Sequence, residues 1–143
     1  MKRPSHKELS GKIRQAIQAV SEKRVTLLNS DVIVSDALEL GYLIGDELIE
    51  ILSELLNSIQ PEHYAGTRPP QRSYEEEIQD LELYAFSLFV NRFNCEIYLK
   101  FALYDDELWV VSLHKSRGKQ GGLRRRKYGY YQEMPQGTWG NEN

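Results

Sequence analysis

The sequence predicts an α+β fold in which N-terminal helices pack on one face of a C-terminal antiparallel β-meander. Three observations carry this expectation. Apolar residues recur at helical spacing through residues 8–20 and 46–59, and from Leu81 onward the pattern changes to three β-prone runs. Between them, residues 61–80 form a polar connection holding Pro61, Gly66, Pro69 and Pro70. Helices followed by strands is the element order of the α+β class. The chain has 143 residues, of which 41% are apolar, enough for one core of about 100 residues and too little for two. One domain over residues 1–116 is therefore expected, followed by a Gly/Arg/Tyr-rich basic tail over 117–143 too sparse in apolar residues to build a core.

Each element has its own local reason. Leu9, Ile13, Ala16, Ile17 and Val20 form one stripe of the first helix, with Lys12 and Arg14 turned outward. Val25-Thr26-Leu27-Leu28 is a short β-prone run. Ser35 or Asp36 can cap a short helix that Gly41 ends after Leu40. Asp46 can cap the strongest helix, in which Leu48, Leu52, Leu55, Leu56 and Ile59 line one side and Pro61 enforces the stop. The strands are expected at Leu81–Val90, Cys95–Tyr104 and Leu108–Lys115.

The register of the last hairpin decides which side chains share a face. A two-residue Asp105-Asp106 turn would pair Tyr104 with Glu107 and set His114 opposite Ile97. A three-residue Asp105-Asp106-Glu107 loop gives Leu103–Trp109, Phe101–Val111 and Leu99–Leu113 instead, a clean apolar face. A one-residue slip inverts every side chain, so the hydrophobic pattern selects the three-residue loop. On the opposite face this sets Tyr98 against His114 and Lys100 against Ser112.

Charge is distributed unevenly. The net charge of −3 divides into +5 over residues 1–24, −13 over 25–107 and +5 over 108–143. Basic ends on an acidic body suit contact with a polyanion through local positive potential. A single cysteine, Cys95, excludes an internal disulfide framework and a cysteine-based zinc site. His6, His63 and His114 lack metal-ligand spacing, and no glycine-rich loop follows a strand, so neither a metal, a nucleotide nor another cofactor is expected. No apolar run approaches the length of a membrane span, and the expected location is the cytoplasm, without membrane contact.

The predicted sheet face is the strongest chemical grouping: Tyr98, Lys100 and His114 as candidate catalytic residues, with Lys115 and Arg117 beyond the strand end. Metal-independent RNA cleavage needs such groups: a base for the 2′-hydroxyl proton, cations for the phosphorane charge and an acid for the leaving 5′-oxygen. Arg124, Arg125, Arg126 and Lys127, followed by Tyr128, Tyr130 and Tyr131, pair cations with stackable rings, a combination used on single-stranded RNA.

Several short patches in the same order resemble the MqsR-like branch of the RelE-type toxins, which are mRNA interferases. Lys2-Arg3-Pro4-Ser5-His6 followed by Leu9 is similar to the family's opening Lys-Arg-x-Pro-His-x-x-Leu, one residue shorter. Asp36-Ala37-Leu38-Glu39-Leu40-Gly41 resembles its helix end, and Glu62-His63-Tyr64 falls where the family has Phe-Tyr or Tyr-Tyr. Glu82-Leu83-Tyr84-Ala85-Phe86, Ile97-Tyr98-Leu99-Lys100 and Val110-Val111-Ser112-Leu113-His114 resemble its strands. The resemblance implies a RelE-like fold and a toxin-type endoribonuclease of a toxin–antitoxin system. Its partners would be RNA (mRNA, free or on the ribosome) and an antitoxin protein. Tyr98 and Lys100 match the family's Tyr-x-Lys, and His114 falls where members carry a Lys or a His. Two polar groups are missing: the family's Lys is Ala65 here, and its Gln is Leu81. A diverged member with altered or weakened cleavage is implied, and the alternative is a non-catalytic RNA-, ribosome- or protein-binding relative. A plain interaction domain using helix 46–59 ranks last, because its leucines suit a core.

Overall fold

The computed structural model describes residues 3–117. Helix α1 (His6–Ser21) starts where the Ser5 hydroxyl accepts the Glu8 amide N–H at 3.0 Å, and it buries Leu9, Ile13, Ala16 and Val20. Strand β1 (Val25–Leu27) follows, then α2 (Ser30–Leu40) and α3 (Asp46–Ser58). Helix α2 ends on Gly41, whose φ of 92° is the left-handed cap conformation that glycine adopts without steric cost. Strands β2 (Tyr84–Val90), β3 (Cys95–Tyr104) and β4 (Glu107–Lys115) complete the order, so helices precede strands in an α+β fold.

The sheet runs β1-β4-β3-β2. β2, β3 and β4 form the antiparallel meander, whereas β1 joins β4 in parallel, Val25 opposite Leu108 and Leu27 opposite Val110. The sheet is therefore mixed rather than purely antiparallel. All three helices cover one face, where Phe86, Ile97, Leu99, Phe101, Val110 and Leu113 meet Leu9, Ile33, Leu52 and Leu55. Phe86 stacks on Phe101 at 5.9 Å between ring centroids. No helix among the described residues is long and apolar enough to cross a membrane.

Several boundaries differ from expectation. Helix α2 begins five residues before Ser35, because the apolar Ile33 has a place in the core that its β-branched neighbours disguise in the sequence. Gly45, not Asp46, occupies the cap of α3, and Asp46 contributes its charge to the first turn. The connection over 61–80 holds two single turns of 3₁₀ helix, Pro61–His63 and Glu76–Ile78, and β2 starts at Tyr84 rather than Leu81. Ile78 is 1% exposed and packs with Leu83 and Ala102 on the face away from the helices, with Leu81, Trp109 and Val111 beside them. The connection thus seals that end of the open face.

The hairpin turn also departs from expectation. It is the two-residue Asp105-Asp106 turn: both residues have positive φ (53° and 64°), as a type I′ turn requires, and Tyr104 pairs with Glu107. Phe101 therefore faces Val110, not Val111, and Leu103 faces Leu108, not Trp109. A β-bulge between Lys100 and Phe101 then makes Val111 an extra residue, and beyond it Lys100 faces Ser112, Leu99 faces Leu113 and Tyr98 faces His114. The turn obeys its backbone geometry, and the bulge restores the apolar alternation.

Asp106 holds a left-handed conformation at a cost that glycine would avoid. Asp106→Gly should raise stability by about 0.5–1 kcal/mol, read as a higher urea midpoint with an unchanged m-value. A lower midpoint would contradict the assigned turn.

Candidate functional site

The helix-free face of the sheet carries the predicted group. On β2, Tyr84, Phe86 and Leu88 turn into the core, so Ala85, Ser87 and Phe89 line this face; on β3 it carries Glu96, Tyr98 and Lys100. The rings of Tyr98 and His114 stack at 5.2 Å and 19°. Ser87 and Ser116 join their hydroxyls at 2.6 Å beside this pair. Among the described residues, no three His, Cys, Asp or Glu side chains converge to hold a metal ion.

His114 is 8% exposed, and both ring nitrogens are engaged. Nδ1 lies 2.8 Å from the Lys115 carbonyl oxygen, which can only accept, so Nδ1 carries the proton. Nε2 therefore presents its lone pair, and Arg117 Nη1 donates to it at 3.1 Å. Burial, reinforced by the Arg117 and Lys100 charges and opposed by the carbonyl bond, holds the imidazole down to about 4. At neutral pH it is a neutral Nδ1–H tautomer.

Lys100 lies half-buried, and burial alone pulls its ammonium below the usual lysine value. Among the described residues it has no ion-pair or hydrogen-bond partner. Burial pushes the Tyr98 phenol up, so it stays protonated. Asp36 on α2 is a neighbour that sequence reasoning used only as a helix cap. Burial raises its carboxyl to about 6, against the attraction of Arg117 and with some repulsion from Glu39. Ser87 and Ser116 were also missed; the strict alternation through Tyr84–Val90 was the signal that could have placed Ser87.

Lys115 does not join the group. It pairs with the buried Ile97 and alternates onto the helix-covered side, where it is exposed. Arg117 does join it, whereas Arg124, Arg125, Arg126 and Lys127 lie outside the described residues, as does all of the expected tail over 117–143 beyond Arg117. No protein-family model matches the chain, and no curated protein matches it in sequence.

The His114 imidazole should titrate near 4 by NMR, and Arg117→Ala should move it back part of the way toward 6.5, because burial persists when the cation goes. The sign for stability follows. A depressed folded value means the unfolded chain binds the proton more readily, so this stabilisation is complete above 6.5 and is lost as pH falls to about 4. Relative to His114→Gln, the protein should lose up to about 3 kcal/mol across that window. A normal imidazole titration would remove the buried, cation-flanked assignment.

Proposed function

We propose that this face binds RNA and that the protein is a toxin-type, metal-independent endoribonuclease acting on mRNA, restrained by an antitoxin protein. The observation that carries this reading is Lys100: a half-buried cation with no carboxylate partner among the described residues is costly unless an anion completes it. Arg117 supplies a second cation on the same face, hydrogen-bonded to a neutral imidazole.

Lys100 and Arg117 would hold the non-bridging oxygens of the scissile phosphate and stabilise the charge of the phosphorane. As the guanidinium turns onto the phosphate, it releases His114 Nε2 and takes its depressing charge from the ring, so the imidazole recovers basicity as substrate arrives. Nε2 then takes the 2′-hydroxyl proton, the 2′-oxygen bonds to phosphorus and the bond to the 5′-oxygen breaks. The Tyr98 phenol, kept protonated by burial, donates to the leaving oxygen. The products are a 2′,3′-cyclic phosphate and a 5′-hydroxyl.

One observation favours a second reading. His114 is almost fully buried with both nitrogens engaged, which suits a structural prop for Arg117 in a non-catalytic RNA-, ribosome- or protein-binding module.

Cleavage should survive a chelator and leave cyclic or 3′-phosphate ends. His114→Ala should slow it by roughly 10²-fold or more while RNA binding changes little. Lys100→Ala should also slow it, and the double variant should lose less than the two separately. Purified protein that binds RNA yet leaves it intact, with and without ribosomes, would establish the second reading instead. Separately, deleting residues 118–131 should weaken RNA binding and flatten its salt dependence by roughly 0.7 log–log units per lost phosphate contact; an unchanged slope would exclude that segment from the RNA interface.

A further inference from the structure

Phe89 is 59% exposed, whereas Phe86 and Phe101 are fully buried in the core. Isolated exposed apolar residues are ordinary, so exposure alone decides nothing; position does. Phe89 is the register partner of Glu96, and Ser87, two residues before it, is the partner of Tyr98. The ring therefore lies on the same face as the Tyr98–His114 stack, about 7 Å further along the strand and about 14 Å from the level of Lys100. At that end, among the described residues, Phe89 and Glu96 are both exposed. The other end is closed by Ile78, Trp109 and Val111, and beyond them comes the acidic Asp105-Asp106 turn.

From this placement we infer that Phe89 is a base-stacking platform for single-stranded RNA, serving a nucleotide adjacent to the phosphate held by Lys100 and Arg117. The inference rests on the RNA reading above and adds to it a direction: the strand leaves the phosphate site toward the β2–β3 turn. Stacking suits this position because every base has an apolar face, and an exposed phenyl on a rigid strand offers its surface without reorganisation. The carboxylate of Glu96, across the strand pair from Phe89, repels a phosphate and tolerates a base, which assigns the base rather than the backbone to this end. The other strongly exposed rings among the described residues fit less well: Tyr104 precedes the Asp105-Asp106 turn, and Tyr74 precedes Glu75-Glu76-Glu77.

The test is fluorescence anisotropy with the full chain and labelled single-stranded RNA oligomers, intact or carrying one abasic nucleotide at successive positions. Phe89→Ala should weaken binding to intact RNA by about 5- to 150-fold, the range of one lost base stack, and Phe89→Trp should restore it. At one abasic position the parent protein should lose the same factor, and Phe89→Ala should lose nothing more there. If Phe89→Ala binds like the parent, or its loss is the same at every abasic position, the platform is overturned. Lys100→Ala and Arg117→Ala separate the two claims. Should both weaken binding while Phe89→Ala does not, only the platform fails; should neither matter, the RNA reading of the face fails with it.

Discussion

The single extra residue at Val111 is the constraint on which the remainder of the molecule depends. A two-residue turn at Asp105-Asp106 commits the hairpin to pairing Tyr104 with Glu107. Continued without interruption, that ladder would set Leu113 opposite Tyr98 and His114 opposite Ile97. Leu113 would then stand on the helix-free face, and an imidazole would lie under the helices among Leu99, Phe101 and Leu52. Leaving a polar group there without partners costs roughly 1–3 kcal/mol, and exposing a leucine forfeits a similar amount. The bulge costs one unpaired residue and avoids both losses: Leu113 is fully buried, and His114 reaches Tyr98. Bulges that re-aim a side chain are characteristic of functional strands. Val111 itself packs beside Trp109 against the buried Ile78, so the extra residue also anchors the long connection.

A buried and a half-buried group near Arg117 pull stability in opposite directions. His114 is depressed, so its contribution fades as pH falls from 6.5 toward 4. Asp36 is raised, so its contribution is complete below 3.8 and fades as pH climbs to about 6. Between 4 and 6 the two slopes oppose each other, and global unfolding would register only their difference. Arg117 favours the charged carboxylate and the neutral imidazole together, which makes it the electrostatic link between α2 and the sheet face. Losing this guanidinium would therefore shift two titrations in the same upward direction, a signature that a free surface arginine would not give.

The parts of the fold that follow from periodicity were legible in the sequence. Helical stripes such as Leu9–Ile13–Ala16–Val20 and alternation such as Tyr84–Phe86–Leu88 report burial directly, and they set the element order and the core face. The pairing of Tyr98 with His114 and of Lys100 with Ser112 followed from the same logic, because burial of Leu99 and Leu113 dictates it. The turn was not legible, because a hydrophobic pattern constrains the register along the core and is silent about where an extra residue is accommodated. Placing that residue in the loop or at Val111 gives the same pairing at Leu99. β1 was visible as a β-prone run, but its parallel pairing with β4 is a long-range choice. The beginning of α2 was hidden by Val32, Ile33 and Val34, whose branching favours strands locally while the core requires a helix. The buried Ile78 plug lay in a segment with no period at all.

Position 65, where the resembled family has a lysine, shows how the site could work without it. The Ala65 amide donates to the Ala85 carbonyl at 2.8 Å, and Tyr64 bridges to Phe86, so this segment runs along the outer edge of β2. Ala85 is the register partner of Lys100. Position 65 is thus level with Lys100, one strand further out, and a long cation from there would approach the proposed anion site from the β2 side. With alanine in that place, the cation that the described residues bring beside His114 is Arg117, from the end of β4 on the opposite side. That route brings a constraint a lysine on the β2 edge would not have. Arg117 follows the last strand by two residues, and its hydrogen bond to His114 and the attraction of Asp36 set where it rests. The resting place of the cation, the imidazole tautomer and the bulge that aims the imidazole are therefore coupled in the unliganded face.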